Sequence, residues 1–167
     1  DNDKYQYIFP DFNFVKKIDL DENYNGQFKF LSSGFQKVYN TNIHETQINN
    51  DFNFESYDFF SSNGIVTDYS FLLKNFNTYS KNSTVYENKN DHEIFGTFLL
   101  KTEFPLKKKL KEGNDFLKPV AQLRFSPTNG KNISSTGSKM DYSSIFSPNR
   151  IGRSDMVEKG KSITLGL

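Results

Sequence analysis

The clearest feature of this chain is a long stretch in which apolar and polar side chains alternate. Residues 93–106 read EIFGTFLLKTEFPL, and the side chains of one parity are almost all apolar or small. A period of two is typical of a β-strand, because successive side chains of a strand point to opposite faces. The stretch covers 14 residues, whereas strands of globular proteins usually run about five or six. The pattern predicts an unusually long strand with one apolar face.

The same alternation returns along the chain, separated by polar connectors. The further segments are residues 4–15, 26–38, 42–54, 64–76, 116–126 and 160–167. The first changes phase around Pro10, and Ser33 with Gly34 indicates a bulge in the second. No segment has the apolar spacing of an amphipathic helix. The sequence therefore predicts an all-β fold, an antiparallel meander of about seven long strands.

The connectors fall into two classes. Residues 19–25, 55–63 and 107–115 are short or moderate, while residues 77–92 and 126–159 are long and polar. Long loops are uncommon in a compact domain unless they have a function. Short turns at one end and long loops at the other are typical of outer-membrane barrels, whose strands alternate over about ten residues. We expect an open segment of a large transmembrane β-barrel, with the short connectors at one end of the sheet.

Composition fits this interpretation and excludes several function classes. The 18 Phe and 9 Tyr carry most of the apolar surface, and the mean hydropathy of -0.70 agrees with strands that are wet on one face. The 21 basic and 20 acidic side chains nearly cancel, so there is no electrostatic case for a nucleic-acid partner. The chain has no Cys, which excludes disulfides, thiolate metal sites and thiol catalysis within it.

The two ends of the chain shape the expected domain organisation. No run approaches the roughly 18 apolar residues of a membrane helix, and no basic segment leads into an apolar one as in a signal peptide. The chain opens on Asp1 and stops at Leu167 within an alternating run. We expect residues 1–167 to be an internal part of one larger barrel domain.

A soluble β-rich module is the main alternative to a membrane barrel, because the strands of a β-sandwich alternate as well. The strand lengths and the asymmetry of the connectors favour the barrel. Aromatic residues near predicted strand ends could form interfacial girdles, namely Tyr5, Phe76, Phe104 and Phe116. The two interpretations differ in one observable, which is whether a second sheet covers the apolar face.

An ordered series of motifs occupies residues 116–167. A Leu-x-Pro strand that ends near a second proline is matched by Leu117, Pro119, Phe125 and Pro127. An Asp-Tyr-Ser-x-Ile-Phe element is matched by Asp141, Tyr142, Ser143, Ile145 and Phe146. An Arg, a Gly and an Asp then precede a strand that ends in Thr-x-Gly-Leu, as Arg150, Gly152, Asp155, Thr164, Gly166 and Leu167. The series resembles the C-terminal barrel domain of LptD, the LPS-assembly protein of the organic solvent tolerance family.

The resemblance implies a lipid transporter of the Gram-negative outer membrane rather than an enzyme, with no cofactor. LptD-type barrels place lipopolysaccharide in the outer leaflet. Their implied partners are lipopolysaccharide, outer-membrane lipid, an LptE-like plug lipoprotein and, through a jelly-roll domain absent from this chain, a periplasmic LptA-type bridge. The resemblance also implies that residues 107–115 form a periplasmic turn. A porin-like solute channel remains the alternative barrel, and it would need a charged constriction and an inward-folded loop.

Alternation assigns the side chains of the two strands at residues 93–106 and 116–126 to opposite faces. The expected lipid-facing set is Ile94, Phe98, Leu100, Phe104, Leu117 and Leu123. The expected lumen-facing set is Thr97, Lys101, Glu103, Lys118, Gln122 and Arg124. We expect these strands to pair through the Lys-rich turn between them.

Two further expectations concern the polar connectors and the histidines. The loop of residues 141–155 is too long and polar for a passive hairpin, so we expect it to fold back and make ordered contacts. His44 and His92 lie far apart in the sequence and predict neither a metal site nor a catalytic one. No set of Ser, His and Asp, no phosphate-binding glycine loop and no paired carboxylate stands out.

Overall fold

A single long antiparallel sheet dominates the structure, a computed structural model that describes residues 5–21, 24–84, 86, 88–110, 113–128 and 140–167. These ranges contain no α-helix, which confirms the predicted all-β class. No helix within them could cross a membrane. The strands are β1 (Gln6–Asp19), β2 (Gly26–Tyr39), β3 (His44–Ser56), β4 (Phe59–Phe60), β5 (Val66–Lys81), β6 (Asn90–Glu103), β7 (Leu106–Leu110), β8 (Gly113–Leu117), β9 (Val120–Ser126) and β10 (Gly160–Gly166).

The strands pair in chain order, as a meander requires. The sheet runs β1-β2-β3-β5-β6-β9-β10, and the two-residue β4 pairs with the start of β5. All of these pairs are antiparallel. β1 and β10 each pair with a single neighbour among the described strands. The sheet is therefore open, with two free edges.

Two prolines correct the predicted bounds of the strands at residues 93–106 and 116–126. β6 ends at Glu103, before Pro105, and β9 begins after Pro119. Proline has no backbone N–H to donate to a ladder, so neighbouring prolines interrupt both strands at the same level. The break is bridged by the N–H of Phe104, which donates to the carbonyl of Pro119 at 3.0 Å.

The Lys-rich connector is a two-stranded ribbon rather than a simple turn. β7 and β8 pair from Leu106 with Leu117 to Leu110 with Gly113, beyond the prolines. Residues 111 and 112, between them, lie outside the described residues. The predicted pairing of the flanking long strands is confirmed, since Leu100 of β6 lies opposite Leu123 of β9.

The predicted arrangement of connectors at the two ends of the sheet is confirmed. The antiparallel registers place residues 19–25, 55–63 and 104–119 at one end, called end A here, and residues 40–43, 82–89 and 127–159 at the other, called end B. The connector expected at residues 77–92 is shorter, because β5 continues to Lys81 and β6 starts at Asn90. Residues 129–139 of the last connector lie outside the described residues.

The two faces of the sheet differ in what covers them. One face, called the inner face, is crossed by residues 141–158, called the strap, and holds the buried core of Leu72, Phe76, Phe95, Met156 and Val157. The opposite, outward face carries other aromatic side chains of β2, β3, β5 and β6, among them Phe28, Phe30, Phe52, Phe54, Tyr69 and Phe98. No second sheet lies on the outward face within the described ranges, because β7 and β8 contact only each other among the strands.

Glycine and proline act at specific points of β1 and β2. The register of β1 shifts between Ile8 and Asp11, which agrees with the predicted change of phase around Pro10. The bulge expected at Ser33 and Gly34 is absent, since Gly34 pairs regularly with Phe12 and Ile48. A Cβ on Gly34 would lie 2.5 Å from the Gln47 carbonyl oxygen and 2.9 Å from the Phe12 ring. Glycine is therefore required at position 34, because the Gln47 carbonyl and the Phe12 ring leave no room for a side chain.

We expect Gly34→Ala to destabilise the sheet by about 1–3 kcal/mol, because the added methyl group forces the Phe12 ring and strand β3 apart. Gly96→Ala is the matched control, since no atom lies within 4 Å of a Cβ added there. Replacing Gly96 should be neutral or stabilise by roughly 0.5–1 kcal/mol. Urea unfolding of the two variants and of the unmodified protein measures both changes. Equal midpoints for the two variants would contradict the close packing at Gly34.

Candidate functional site

The strap is fixed to the inner face by a network of arginines. The Arg150 guanidinium donates to both carboxylate oxygens of Glu158, at 2.9 and 2.5 Å. Arg124, in β9, donates to the Pro148 carbonyl at 3.2 Å and to the Glu158 carbonyl at 2.7 Å. Arg124 and Arg150 are both largely buried. Through Arg124 these charge-assisted bonds join the sheet to the middle and the C-terminal end of the strap, and Arg150 joins those two parts of the strap to each other.

An apolar contact holds the end of the strap against the middle strands. Met156 and Val157 are almost completely buried and pack on Leu72, Phe76 and Phe95. Phe76 was expected near an interfacial girdle, and this expectation is wrong because its position in β5 faces inward. Burying side chains of this size contributes roughly 1.5–3 kcal/mol each.

A second contact joins two of the motif positions. A Cβ on Gly166, near the end of β10, would lie 2.9 Å from the Phe146 ring. The absence of a side chain at Gly166 therefore lets the Phe146 ring lie directly against the last strand. The sequence supplied both residues but not their contact, because they are separated by most of the strap.

The remaining strap residues shape its turns. The Ser143 N–H donates to the Asp141 carboxylate at 2.9 Å, while Tyr142 is 90% exposed. Gly152 has a φ of 65°, a left-handed conformation that favours glycine. Arg153 donates to both oxygens of Asp155, and this pairing raises the pKa of Arg153 above its usual value. The expectation that residues 141–155 fold back into ordered contacts is confirmed.

The inner face beyond the strap is polar and internally paired. Lys74 of β5 is buried and donates to Asp51 at 2.7 Å and to Asn49 at 3.3 Å. The Tyr86 hydroxyl donates to Gln47 at 3.1 Å. Burial raises the pKa of the Tyr86 hydroxyl, with the nearby carboxylates adding to the effect. These contacts extend the ordered inner surface toward end B.

The side chains expected on the lumen side lie on the inner face in two environments. Thr97, Gln122 and Arg124 are buried. Lys101, Glu103 and Lys118 form a surface chain toward end A, in which Glu103 accepts from Lys101 at 2.5 Å and from Lys118 at 3.1 Å. The alternation of the sequence predicted their common face. The burial of Gln122 and Arg124 depends on the strap, which lies against them.

The side chains expected on the lipid side lie mostly on the outward face. Ile94, Phe98 and Leu123 are exposed there, and Leu100 is half-buried between them. Phe104 and Leu117 fall outside β6 and β9, at the proline break and in the ribbon. Both residues were expected within continuous long strands. They lie outside β6 and β9 because Pro105 and Pro119 interrupt these strands.

Aromatic side chains run across the outward face from strand to strand. Phe14, Phe30 and Phe52 form one row, with ring centroids 6.2 and 4.7 Å apart. A second row toward end A contains Phe28, Phe54, Tyr69 and Phe98, with centroids 5.1, 5.6 and 6.4 Å apart. Such cross-strand pairs stabilise a sheet by about 0.2–1 kcal/mol each.

A polar network lies on the same outward face, on the side of the aromatic rows nearer end B. Ser32 donates to Asn50 at 2.7 Å, and Asn50 donates to Asn75 at 3.3 Å. Asn77 donates to Asn75 at 2.6 Å and contacts His92 at 2.7 Å. Together with Ser32 and His92, the three amides form a network across four strands. Sequence inspection missed this network, although asparagines at alternate positions of neighbouring strands were its signal.

No metal centre is formed by the described residues, in which no group of three His, Cys, Asp or Glu side chains could hold an ion. His44 contacts Asn42 at 3.2 Å, and His92 belongs to the outward network. Sequence reasoning also missed Glu158, Met156 and Val157. Their signal was an apolar pair next to a carboxylate within a polar connector.

No protein-family model, curated protein or solved structure matches this chain. The likeness of the motif series between Leu117 and Gly166 to LptD-type barrels therefore rests on the sequence alone. The arrangement brings three of its members into contacts on the inner face, as Phe146 lies against Gly166 and Arg150 pairs with Glu158. Pro119 acts at the strand break, while Phe125 is exposed on the outward face and Pro127 directly follows β9.

We expect Arg150→Ala to release the strap, because it removes both bonds to Glu158 and leaves that partly buried carboxylate unpaired. The cost should be about 1.5–3 kcal/mol. Limited chymotrypsin digestion of the folded protein should then cleave faster at Phe146. Lys108→Ala, which removes a cation from the exposed ribbon, is the control and should not alter cleavage there. Unchanged cleavage in Arg150→Ala would show that Arg124 and the apolar contact fix the strap without the Arg150–Glu158 pair.

Proposed function

We propose that this chain forms part of the wall of an outer-membrane β-barrel. The observation that carries the proposal is the contrast between the faces of one sheet, with an aromatic and aliphatic outward face that no other described element covers and a polar, strap-covered inner face. Soluble monomers rarely expose contiguous apolar patches above a few hundred Å². Lipid on the outward face would remove that cost, and a polar lumen suits the inner one.

The free edges of the sheet support the same proposal. β1 and β10 carry unpaired backbone groups on their outer sides among the described strands. In a membrane these groups need partners, which barrel closure supplies through neighbouring strands. About seven long strands are a segment of such a wall rather than a large closed barrel. A soluble β-sandwich would instead need a second sheet on Phe98 and Leu123.

The outward asparagine network indicates where the proposed lipid boundary lies near end B. Unsatisfied amides in hydrocarbon are costly. The side chains of Asn50, Asn75 and Asn77 bond to one another, which lowers that cost and suits the headgroup region. The aromatic rows then lie deeper in the lipid, toward end A. In this proposal end A faces the periplasm and end B the outside.

Within this class of barrel we infer a part in LPS assembly of the LptD type. The support is the motif series of residues 117–166, several members of which build the strap and its seat on β9 and β10. The expected partners remain lipopolysaccharide, an LptE-like plug lipoprotein and an LptA-type bridge. The sugar and phosphate portion of lipopolysaccharide needs a polar passage, while its acyl chains need an exit into lipid.

One observation favours the porin-like alternative, because the strap folds inward as a porin constriction loop does. Most of its charges, however, are engaged in pairs, namely Arg150 with Glu158 and Arg153 with Asp155. Paired charges leave little net field to select ions. The LPS-assembly proposal therefore has the stronger support.

Depletion of the full-length protein that contains this chain tests the proposed function. We expect newly made lipopolysaccharide to stop reaching the cell surface, as measured by surface labelling of pulse-labelled cells. Uptake of small solutes across the outer membrane and conductance in planar bilayers are the matched readouts for a porin. Loss of solute uptake with normal arrival of lipopolysaccharide would refute the proposal and favour a channel.

We expect Leu100→Arg to impair assembly of the full-length protein into the outer membrane, at about 2–4 kcal/mol near the bilayer midplane. Thr97→Arg is not a mild control, as its face alone would suggest, because Thr97 is almost completely buried. Ser33→Arg serves instead, since Ser33 is only half-buried on the inner face of β2. The fraction of protease-resistant protein in membranes measures both. Equal assembly of the two variants would contradict a lipid-facing Leu100.

A further inference from the structure

A pocket of about 340 Å³ lies on the inner face near end A, between the sheet and the turn of the strap at Phe146 and Pro148. Its walls come from β3, β5, β6 and β9, together with the segment that follows β3. Ligand pockets usually measure about 300–1,000 Å³, so this one suits a small molecule. It is separate from the ion pair of Arg150 with Glu158.

The wall of this pocket is acidic. Glu55, Asp58 and Asp68 contribute carboxylates, and Lys101 contributes the one ammonium group. Lys101 is already paired with Glu103 at 2.5 Å and lies 3.6 Å from Asp68. Neither Glu55 nor Asp58 forms an ion pair with another described residue. The pocket therefore carries negative charge that its own cation does not balance.

Gln122, which forms part of the pocket wall, indicates a ligand independently of the charge of the pocket. Its side chain is 1% exposed, and neither its amide nitrogen nor its amide oxygen has a hydrogen-bond partner among the described residues. An unpaired buried amide costs roughly 1–3 kcal/mol per group. A ligand that accepts from the nitrogen or donates to the oxygen would remove that cost.

We propose that this pocket binds a linear polyamine, a small molecule with several separated ammonium groups. The carboxylates do not form a group that could hold one metal ion, so charges spread along a chain match them better than a single divalent cation. One ammonium group would donate to the Gln122 oxygen, and others would pair with Asp58 and Asp68. The aliphatic links would lie against Leu99 and the Phe146 ring. This site does not depend on the lipid carried.

Titration calorimetry of the full-length protein in non-ionic detergent, with spermidine as the probe, tests the proposal. We expect saturable binding that weakens about two- to fivefold in Asp58→Asn, because an exposed ion pair with one ammonium group is lost. Asp58 is exposed and lies in a connector, so its replacement should leave folding intact. Gln122→Leu should weaken binding as well, and thermal unfolding checks that this variant is folded.

The control is Asp115→Asn, which removes the same charge from the exposed strand β8. It should leave the affinity for spermidine unchanged. Absence of saturable binding would overturn the proposal. Equal weakening by Asp115→Asn would also overturn it, by indicating diffuse attraction to the whole surface, and so would displacement of spermidine by an equal concentration of Mg²⁺. None of these results bears on whether lipopolysaccharide reaches the cell surface.

Discussion

The packing of Met156 and Val157 on Phe76 and Phe95 is the interaction on which the rest of the inner face depends. A single sheet cannot bury side chains by itself, because each face needs another layer. Here the layer is an irregular strap without helices or strands of its own. Irregular backbone needs hydrogen-bond partners once it is buried. The arginine network and the turns at Asp141 and Asn149 supply them.

The charges of the inner face follow from this burial. Arg124 and Arg150 are largely desolvated, so each must be paired or hydrogen-bonded. Glu158 serves both, through its carboxylate for Arg150 and its backbone carbonyl for Arg124. Removing one partner of such a set costs more folding free energy than the intact set contributes, because the remaining charge stays buried without its partner. The strap is thus held in one arrangement rather than merely attracted to the sheet.

The outward face obeys a different constraint. Its side chains cannot be covered by the strap, because the strand period places them on the far side of the sheet. Aromatic rows and self-satisfied asparagines form a surface that is apolar in one part and internally hydrogen-bonded in another. Such a surface fits an environment that is apolar at one depth and polar at another better than it fits uniform water. This is the physical reason for the proposed bilayer boundary.

Much of the architecture was determined by the sequence itself, because alternation over long segments is a local property. The all-β class, the meander, the pairing of the strands at residues 93–106 and 116–126 and the two ends of the sheet could all be predicted from it. Prolines were visible, yet their effect on β6 and β9 depended on Pro105 and Pro119 lying at one level of a paired ladder. The register between the strands decides whether the two prolines meet, and the sequence alone does not specify the register.

The site itself was decided by the tertiary structure. Gln122 and Arg124 could be assigned to one face, but their burial arises from a strap more than twenty residues further along the chain. The contact of Phe146 with Gly166 and the pairing of Arg124 with Glu158 join positions that no local period connects. Sequence alone therefore determined which way side chains point. Only the folded chain determined what covers them, because long-range packing depends on shape and not on spacing.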